Sequence, residues 1–257
     1  MAVEQLNLAA RVPVIVFFSI TGIFTLVSAC GGPGERIKEI EAVKATESPT
    51  PGEREISGTY NVTGAGANDA GPYSGLLTIA PKGDNYEFRW TTNRGSRVGT
   101  GVQIGNTTAV SYSATGGGKG CGVVLYRIAS DGSLEGRLAI WNEDKFATIN
   151  ASRTEGRGFV GKYSISGKSG DGVGFAGRMD IIKDGAGYDL EWVEDYETEP
   201  TKTIVAFGIW KGSYAAASFG GRQCGFALYD IQSNGNLEGN WGGQKQVTFG
   251  TETAKRQ

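Results

Sequence analysis

The side chains with most chemistry to offer are three cysteines, Cys30, Cys121 and Cys224, in a chain of 257 residues without histidine. Without histidine, neither a Ser-His-Asp triad nor a Cys-His pair is available for nucleophilic catalysis. Metal sites that use imidazole ligands are excluded in the same way. A net side-chain charge of −2 provides no broad basic surface for nucleic acid. We therefore expect a protein that is not an enzyme, with no cofactor, no metal and no nucleic-acid partner.

Carboxylates are the remaining candidates for acid–base chemistry, and one of them recurs. Glu135 and Glu238 each follow closely on a turn, Asp131-Gly132 or Asn234-Gly235, within matching stretches of sequence. Glycoside hydrolysis requires two carboxylates facing one cleft, whereas each stretch supplies a single acid. We predict that both are exposed strand residues. A carboxylate-based carbohydrate-active enzyme is the alternative.

Cys30 ends a segment that is typical of export signals. Residues 12–29 carry no charge, follow Arg11, and finish with small residues in Val27-Ser28-Ala29-Cys30. This motif resembles the bacterial lipobox, in which the cysteine receives a diacylglyceryl group and an acyl chain such as palmitate after the signal is removed. The resemblance implies a signal peptide over residues 1–29 and a lipidated Cys30. An uncleaved membrane anchor is the alternative, because 18 apolar residues reach the lower limit for a span.

The lipobox resemblance also predicts where the mature chain resides. A lipid on Cys30 places it in the bacterial cell envelope, outside the cytoplasm, and at the outer membrane if the host is Gram-negative. Residues 30–55 contain no aromatic side chain and mix charges with proline, glycine, serine and threonine. This composition predicts a flexible tether that would span roughly 25–30 Å.

After the tether, one sequence unit occurs twice. The stretch Gly58–Gly64 (GTYNVTG) returns 103 residues later as Gly161–Gly167 (GKYSISG), and Cys121–Gly136 returns as Cys224–Gly239 at the same spacing. The matches keep their order, which indicates a tandem duplication. A unit of about 100 residues is too long for a solenoid repeat and suits a small domain. We expect two β domains, over residues 56–154 and 159–254.

Within each unit the apolar residues alternate with polar ones, which predicts strands. The Asp-Gly and Asn-Gly pairs predict hairpins, and about eight short strands joined by short loops must be antiparallel. Closing such a sheet removes both edges. The predicted fold is all-β, with two tandem, roughly eight-stranded antiparallel up-and-down barrel-like domains. Meandering β-sandwiches are the alternative. The order of elements is similar to avidin-like and lipocalin-like barrels, a resemblance that implies an interior holding side chains or one small ligand.

One predicted strand in each unit is apolar on both faces: Val123–Ile128 in the first and Phe226–Ile231 in the second. Such a strand is buried on both sides, so one face serves a barrel core and the other needs a second cover. We expect the equivalent strand of the other unit to provide it. Cys121 and Cys224 begin these strands, so we predict an interdomain Cys121–Cys224 disulfide, with two free buried thiols as the alternative.

Aromatic residues at matching strand positions are the candidate ligand-binding residues. Tyr86 and Trp90 in the first unit correspond to Tyr188 and Trp192 in the second. They either fill the barrels or line the mouth of a pocket. The sequence as a whole predicts a membrane-anchored, extracytoplasmic binding or interaction lipoprotein without catalytic activity. Its expected partners are the membrane, through the lipid on Cys30, and an envelope protein, a glycan or a small apolar ligand.

Overall fold

The computed structural model describes residues 53–113, 120–196 and 200–257. The predictions for the signal peptide, for Cys30 and for the tether up to residue 52 lie outside these residues. Among the residues described, no helix is long and apolar enough to cross a membrane. Strands and tight turns account for nearly all of the described chain, together with one 3₁₀ turn at Ala67–Asp69.

The first unit of the sequence contributes eight strands: β1 (Gly58–Ala65), β2 (Pro72–Lys82), β3 (Asn85–Thr92), β4 (Gly95–Ile104), β5 (Thr107–Ser113), β6 (Gly122–Ile128), β7 (Leu134–Ile140) and β8 (Ala147–Arg157). The second unit contributes their equivalents: β9 (Val160–Lys168), β10 (Gly174–Asp184), β11 (Gly187–Tyr196), β12 (Lys202–Lys211), β13 (Tyr214–Phe219), β14 (Cys224–Ile231), β15 (Leu237–Gly242) and β16 (Gly250–Arg256).

These strands form two closed, eight-stranded antiparallel barrels, which confirms the predicted fold class. One barrel, here called the terminal barrel, has the order β1-β16-β15-β14-β5-β4-β3-β2. The other, the central barrel, has the order β10-β11-β12-β13-β6-β7-β8-β9. The terminal barrel thus uses both ends of the described chain, and the central barrel uses its middle.

The barrel boundaries differ from the expected domains at residues 56–154 and 159–254. Each barrel takes five strands from one unit and three from the other, because the chain crosses between barrels after β5 and again after β13. The pairing that closes each barrel is β5 with β14, and β13 with β6. Since β6 and β14 are equivalent strands with the same apolar pattern, local sequence cannot distinguish this exchange from self-closure.

The doubly apolar strands are buried on both faces as predicted, but the equivalent strand is not their main cover: β6 packs chiefly against β4 and β5 of the other barrel, and β14 against β13. Val124 and Tyr126 of β6 face the core of the central barrel, while Val123 and Leu125 face the other way, into a third apolar cluster. The β14 strand does the same, since Tyr229 lies in the terminal core and Leu228 in the third cluster. This third cluster joins the two barrels, so β6 and β14 each serve a barrel core and the interface.

The predicted Cys121–Cys224 disulfide is present, with 5.6 Å between the two Cα atoms. The cysteines are equivalent residues of the two units, and each stands beside or at the start of a strand that follows a crossing. Equivalent residues that meet in this way lie near an approximate twofold axis between the barrels. The bridge therefore fixes the point where the chain changes barrels.

The two barrels are closed at one end by the same device. The Tyr60 hydroxyl donates to the backbone oxygen of Ile56 (2.7 Å), and the Tyr163 hydroxyl donates to that of Phe159 (2.9 Å). Ile56 and Phe159 are almost fully buried and precede β1 and β9. Each forms an apolar plug, so a ligand site must lie toward the other end of a barrel.

Candidate binding site

The four aromatic residues predicted to bind a ligand lie at different depths within the barrels. Trp90 lies in the terminal core and stacks on Phe88, with 5.7 Å between ring centroids. Trp192 is fully buried in the central core. Tyr86 packs at the edge of the terminal core and Tyr188 packs edge-on against the plug residue Phe159, with a centroid distance of 5.2 Å. Of the four, Trp90 lines a cavity, and the others fill barrel interiors and closed ends.

The cavity beside Trp90 lies at the open end of the terminal barrel, away from the Ile56 plug. It holds about 60 Å³, which is room for a few ordered waters or for part of a small ligand that enters from the open side. The lining residues are Tyr73, Trp90, Thr92, Arg94, Gly95, Arg97, Tyr112, Ala227, Tyr229, Trp241 and Glu252. They come from seven of the eight strands or their turns, so closure of the barrel is what assembles the site.

Glu252 is the polar centre of this cavity, and its side chain is buried, with 4 % exposure. One carboxylate oxygen accepts hydrogen bonds from the Tyr229 hydroxyl (2.7 Å) and the Trp90 indole N–H (3.1 Å). The other accepts a bond from the Tyr73 hydroxyl (2.7 Å). Three donors thus satisfy a charge that would otherwise be costly to bury.

The tyrosines that hold Glu252 are themselves resistant to ionisation. Burial raises the pKa of Tyr229 well above its ordinary value, and the neighbouring Glu252 charge raises it further. Burial and Glu252 raise the pKa of Tyr73 in the same way. Both hydroxyls therefore stay protonated and serve as fixed donors to the carboxylate.

Arg97 lines the cavity and lies close to two aromatic rings. Its guanidinium carbon lies 5.3 Å from the Tyr112 ring centroid and 5.9 Å from that of Trp241. No described acid pairs with it. Cation–π attraction holds the side chain over the rings while its N–H groups remain available.

Arg94 stands at the rim and is occupied differently. Its guanidinium donates to the backbone oxygens of Ala70 and Gly71, the latter at 2.9 Å, and lies 5.5 Å from the Tyr73 ring centroid. These bonds tie the turn before β2 to the turn between β3 and β4. Arg94 thereby shapes the entrance, and its positive charge is not neutralised by a described acid.

Trp241 forms a further wall of the cavity. Its indole ring packs edge-on against Tyr73, with 6.0 Å between centroids. The indole nitrogen is buried, and no described group accepts a hydrogen bond from it with acceptable geometry. The nitrogen is shielded from solvent and lies close enough to the Tyr73 hydroxyl to influence the pKa of that group, so the indole forms part of the cavity wall.

The central barrel lacks this arrangement at the equivalent positions. The strand registers place Ile149 where the terminal barrel has Glu252, and Ile204 where it has Arg97. Its buried acid is Glu194, which accepts from the Trp192 indole (2.9 Å) and the Tyr196 hydroxyl (2.7 Å). The two barrels share a tryptophan that binds a buried carboxylate, but the carboxylate comes from a different strand position in each.

The repeated acids Glu135 and Glu238 are exposed on their strands, as predicted. Glu135 pairs with the neighbouring exposed Arg127. Neither residue lines the cavity at the open end of the terminal barrel. The acid that does so, Glu252, was not singled out by sequence analysis. Its signal was a difference between the units, an acid in β16 where β8 has an isoleucine.

Comparisons of the chain with protein-family models, with curated proteins and with solved structures find no match. The site is therefore interpreted from its own geometry.

Proposed function

We propose that this chain is a lipid-anchored, extracytoplasmic binding protein without catalytic activity, and that its terminal barrel takes up a small, partly apolar ligand at the open end. The observation that carries the proposal is the aromatic cavity between Trp90, Tyr112 and Trp241, which surrounds a buried carboxylate. Concave sites with apolar walls and a few placed polar groups are the usual form of small-ligand sites.

The same cavity favours binding over catalysis. Glu252 is the one carboxylate among the described residues that line it, and both of its oxygens already accept hydrogen bonds. A general acid or base must be free to exchange a proton with the substrate. Glu252 is held as a structural acceptor, so its surroundings suit the recognition of a ligand.

Support for an envelope location comes from two independent features. The Val27-Ser28-Ala29-Cys30 motif follows an uncharged segment of signal-peptide type. The Cys121–Cys224 disulfide belongs to a class of bond that persists in oxidising compartments and is rare in the cytosol.

Ligand uptake is tested with the mature chain and small aromatic compounds, beginning with indole and phenylacetate. We expect saturable changes in tryptophan emission, because Trp90 and Trp241 line the cavity. Trp90→Phe should weaken both the signal and the affinity measured by calorimetry. Trp210→Phe is the matched control, since Trp210 lies beside the Phe159 plug at the closed end of the other barrel. Equal loss in both variants, or no saturable binding, would contradict the proposal.

The anchor is tested separately, by expressing the full chain in a bacterium and fractionating the cells. Wild-type protein should partition with membranes, incorporate labelled palmitate and lack residues 1–29. Cys30→Ala should remain an unprocessed and unlabelled precursor. Cys121→Ala with Cys224→Ala is the control, because it removes the other two cysteines and should leave labelling intact. A soluble, unlabelled wild-type protein would disprove the anchor and leave the cavity proposal standing.

A further inference from the structure

We propose that the ligand of the terminal barrel is a small aromatic carboxylic acid, whose carboxylate binds Arg97 at the cavity mouth. This inference rests on the proposed binding function and assigns a chemical class to its ligand. It follows from which polar groups at the site are already satisfied and which are not.

The main acceptor of the site is largely occupied, whereas its main donor, the Arg97 guanidinium, is not. Glu252 receives three hydrogen bonds within the barrel. In contrast, the Arg97 guanidinium has no described acid as partner. A ligand that donates hydrogen bonds would find three of the roughly four accepting positions on Glu252 already occupied. A ligand that accepts them would find the Arg97 guanidinium able to donate.

The charge balance favours an anion over a neutral acceptor. The charged residues lining the cavity are Arg94, Arg97 and Glu252, which leaves one positive charge in excess. The negative charge of Glu252 is stabilised by Tyr73, Trp90 and Tyr229, whereas neither arginine is neutralised by a described acid. A carboxylate offers the planar pair of oxygens that a guanidinium binds with two parallel hydrogen bonds.

Arg97 is held in place before a ligand arrives. Its position over Tyr112 and Trp241 limits the freedom of a long side chain, and Gly95 leaves the rim beside it open because a methyl group there would meet no atom within 4 Å. A pre-positioned guanidinium loses less conformational entropy on binding than a mobile one. The geometry therefore suits a carboxylate that approaches from solvent.

The remaining walls define the other end of the ligand. Trp90 and Tyr112 meet edge to face with 6.0 Å between centroids, and Ala227 leaves space beside them. Aromatic rings attract a planar apolar group in stacked or edge-on contact. The cavity holds about 60 Å³, less than the roughly 150 Å³ of an enclosed cavity that binds benzene, so a single ring would lie partly in the open mouth and long acyl chains are excluded from the interior.

The central barrel provides an internal comparison. Ile204 and Leu138 stand where the terminal barrel has Arg97 and Trp241, so the guanidinium and one aromatic wall are absent from the equivalent positions. We expect one acid-binding site per chain, in the terminal barrel.

The experiment compares three ligands of nearly equal shape: phenylacetate, phenylacetamide and 2-phenylethylamine. Affinities for the mature, disulfide-bonded chain are measured by calorimetry and tryptophan emission. We expect one site per chain and a preference for phenylacetate over the amide of about tenfold, since hydrogen bonds to charged partners are roughly twice as strong as neutral ones. The amine should bind more weakly than either. Raising the ionic strength should reduce the preference, because the site is partly open to solvent.

Variants test whether Arg97 causes the preference for the acid. Arg97→Met should remove the preference for the acid, and Arg97→Lys should retain part of it because the charge remains while the planar fork is lost. Arg89→Met is the matched control on the same barrel, since Arg89 is exposed and bonds to Glu87 outside the cavity. Circular dichroism and urea unfolding establish that each variant is folded.

The possible results separate this inference from the proposed function. If the acid, the amide and the amine bind equally, or if Arg97→Met leaves the preference unchanged, the carboxylate assignment is wrong while the binding function stands. If none of the three compounds binds and indole also fails to bind, both are wrong.

Discussion

The hydroxyl groups of Ser111 and Ser218 meet at an oxygen–oxygen distance of 2.6 Å, although the residues are 107 positions apart in the chain. They are equivalent residues, one on β5 and one on β13, and both are buried. Their contact marks the approximate twofold axis on which the Cys121–Cys224 bridge also lies. A hydroxyl can donate and accept at once, which makes serine well suited to meet its own equivalent.

Replacing one of these serines should lower the free energy of unfolding by more than half of the loss caused by replacing both. Ser111→Ala leaves the Ser218 hydroxyl buried without a partner, so we expect the free energy of unfolding to fall by about 1–2 kcal/mol. For the double variant Ser111→Ala/Ser218→Ala, the loss in the free energy of unfolding should be clearly smaller than the sum of the losses in the two single variants. Urea unfolding measures all three, and exposed Ser152→Ala is the control. Strict additivity would show that the two hydroxyls do not interact.

Removing the disulfide should weaken the whole molecule. For a closed loop of about 100 residues, the chain-entropy model gives up to ~4.7 kcal/mol, and measured values are commonly 2–4 kcal/mol. Cys121→Ser/Cys224→Ser should therefore lower the free energy of unfolding by about 2–4 kcal/mol. A reducing agent should destabilise the wild type to a similar degree and leave the variant unchanged. Destabilisation of the variant by the same reagent would point to another cause.

Glu252 should matter for stability as well as for the site. Glu252→Gln replaces one acceptor oxygen with an amide that donates, next to three groups that also donate. We expect a loss of about 1–3 kcal/mol in the free energy of unfolding. Glu238→Gln on β15 is the matched control, because Glu238 is exposed, and it should change stability by less than about 0.5 kcal/mol. Equal effects from the two variants would contradict the account of the Glu252 network.

Alkaline pH should unfold the protein cooperatively. Burial raises the pKa values of Tyr112, Tyr126 and Tyr229, and a nearby acid raises each further, although the adjacent Arg97 partly opposes the shift of the Tyr112 pKa. Their protonated forms are favoured in the folded state, so this stabilisation is complete below the ordinary tyrosine pKa of about 10 and is lost as the pH rises above it. Absorbance at alkaline pH should show these tyrosines ionising together with the loss of circular dichroism. Ionisation in the folded state near pH 10 would refute the prediction.

Close strand approach makes certain glycines irreplaceable. A Cβ atom at Gly208 on β12 would lie 1.9 Å from the backbone oxygen of Ala216 on β13. Gly208→Ala should therefore force the strands apart and cost about 1–3 kcal/mol or more. Gly243, where an added Cβ would meet nothing within 4 Å, provides the control. Thermal unfolding of the two variants tests the difference, and a neutral Gly208→Ala would show that these strands can separate freely.

The sequence predicted the fold class because strand periodicity, hairpin turns and duplication all leave local patterns. The doubly apolar strands β6 and β14 also predicted an interface, and the equivalent placement of Cys121 and Cys224 predicted their bridge. The exchange of strands left no such pattern, since β5 can pair with β6 or β14 through the same alternation of side chains. Pairing partners that are nearly identical in sequence are distinguished by the geometry of the connections, which a linear pattern does not contain.

The site was only partly predictable for a related reason. Matching aromatics pointed to Trp90, but repetition also selected Trp192, Tyr86 and Tyr188, which fill space. The residues that distinguish the terminal barrel are those that differ between the units: Arg97, Trp241 and Glu252 stand where the central barrel has Ile204, Leu138 and Ile149. Residues that are the same in both units indicate the fold that the two barrels share. Residues that differ between the units indicate features that only one barrel has.

The disulfide also changes the covalent path through the molecule. Along the backbone, Ser113 at the end of β5 and Cys224 at the start of β14 are separated by 111 positions, although the two strands are neighbours in the terminal barrel. Through the bridge, the route is eight positions to Cys121 and then one S–S bond. The disulfide thus joins the two parts of the chain that form the terminal barrel by a short covalent path, and the central barrel lies in the long loop between the two cysteines. A protease that cuts within the central barrel would leave the cavity-lining strands of the terminal barrel covalently joined to each other and to the N-terminal end of the chain.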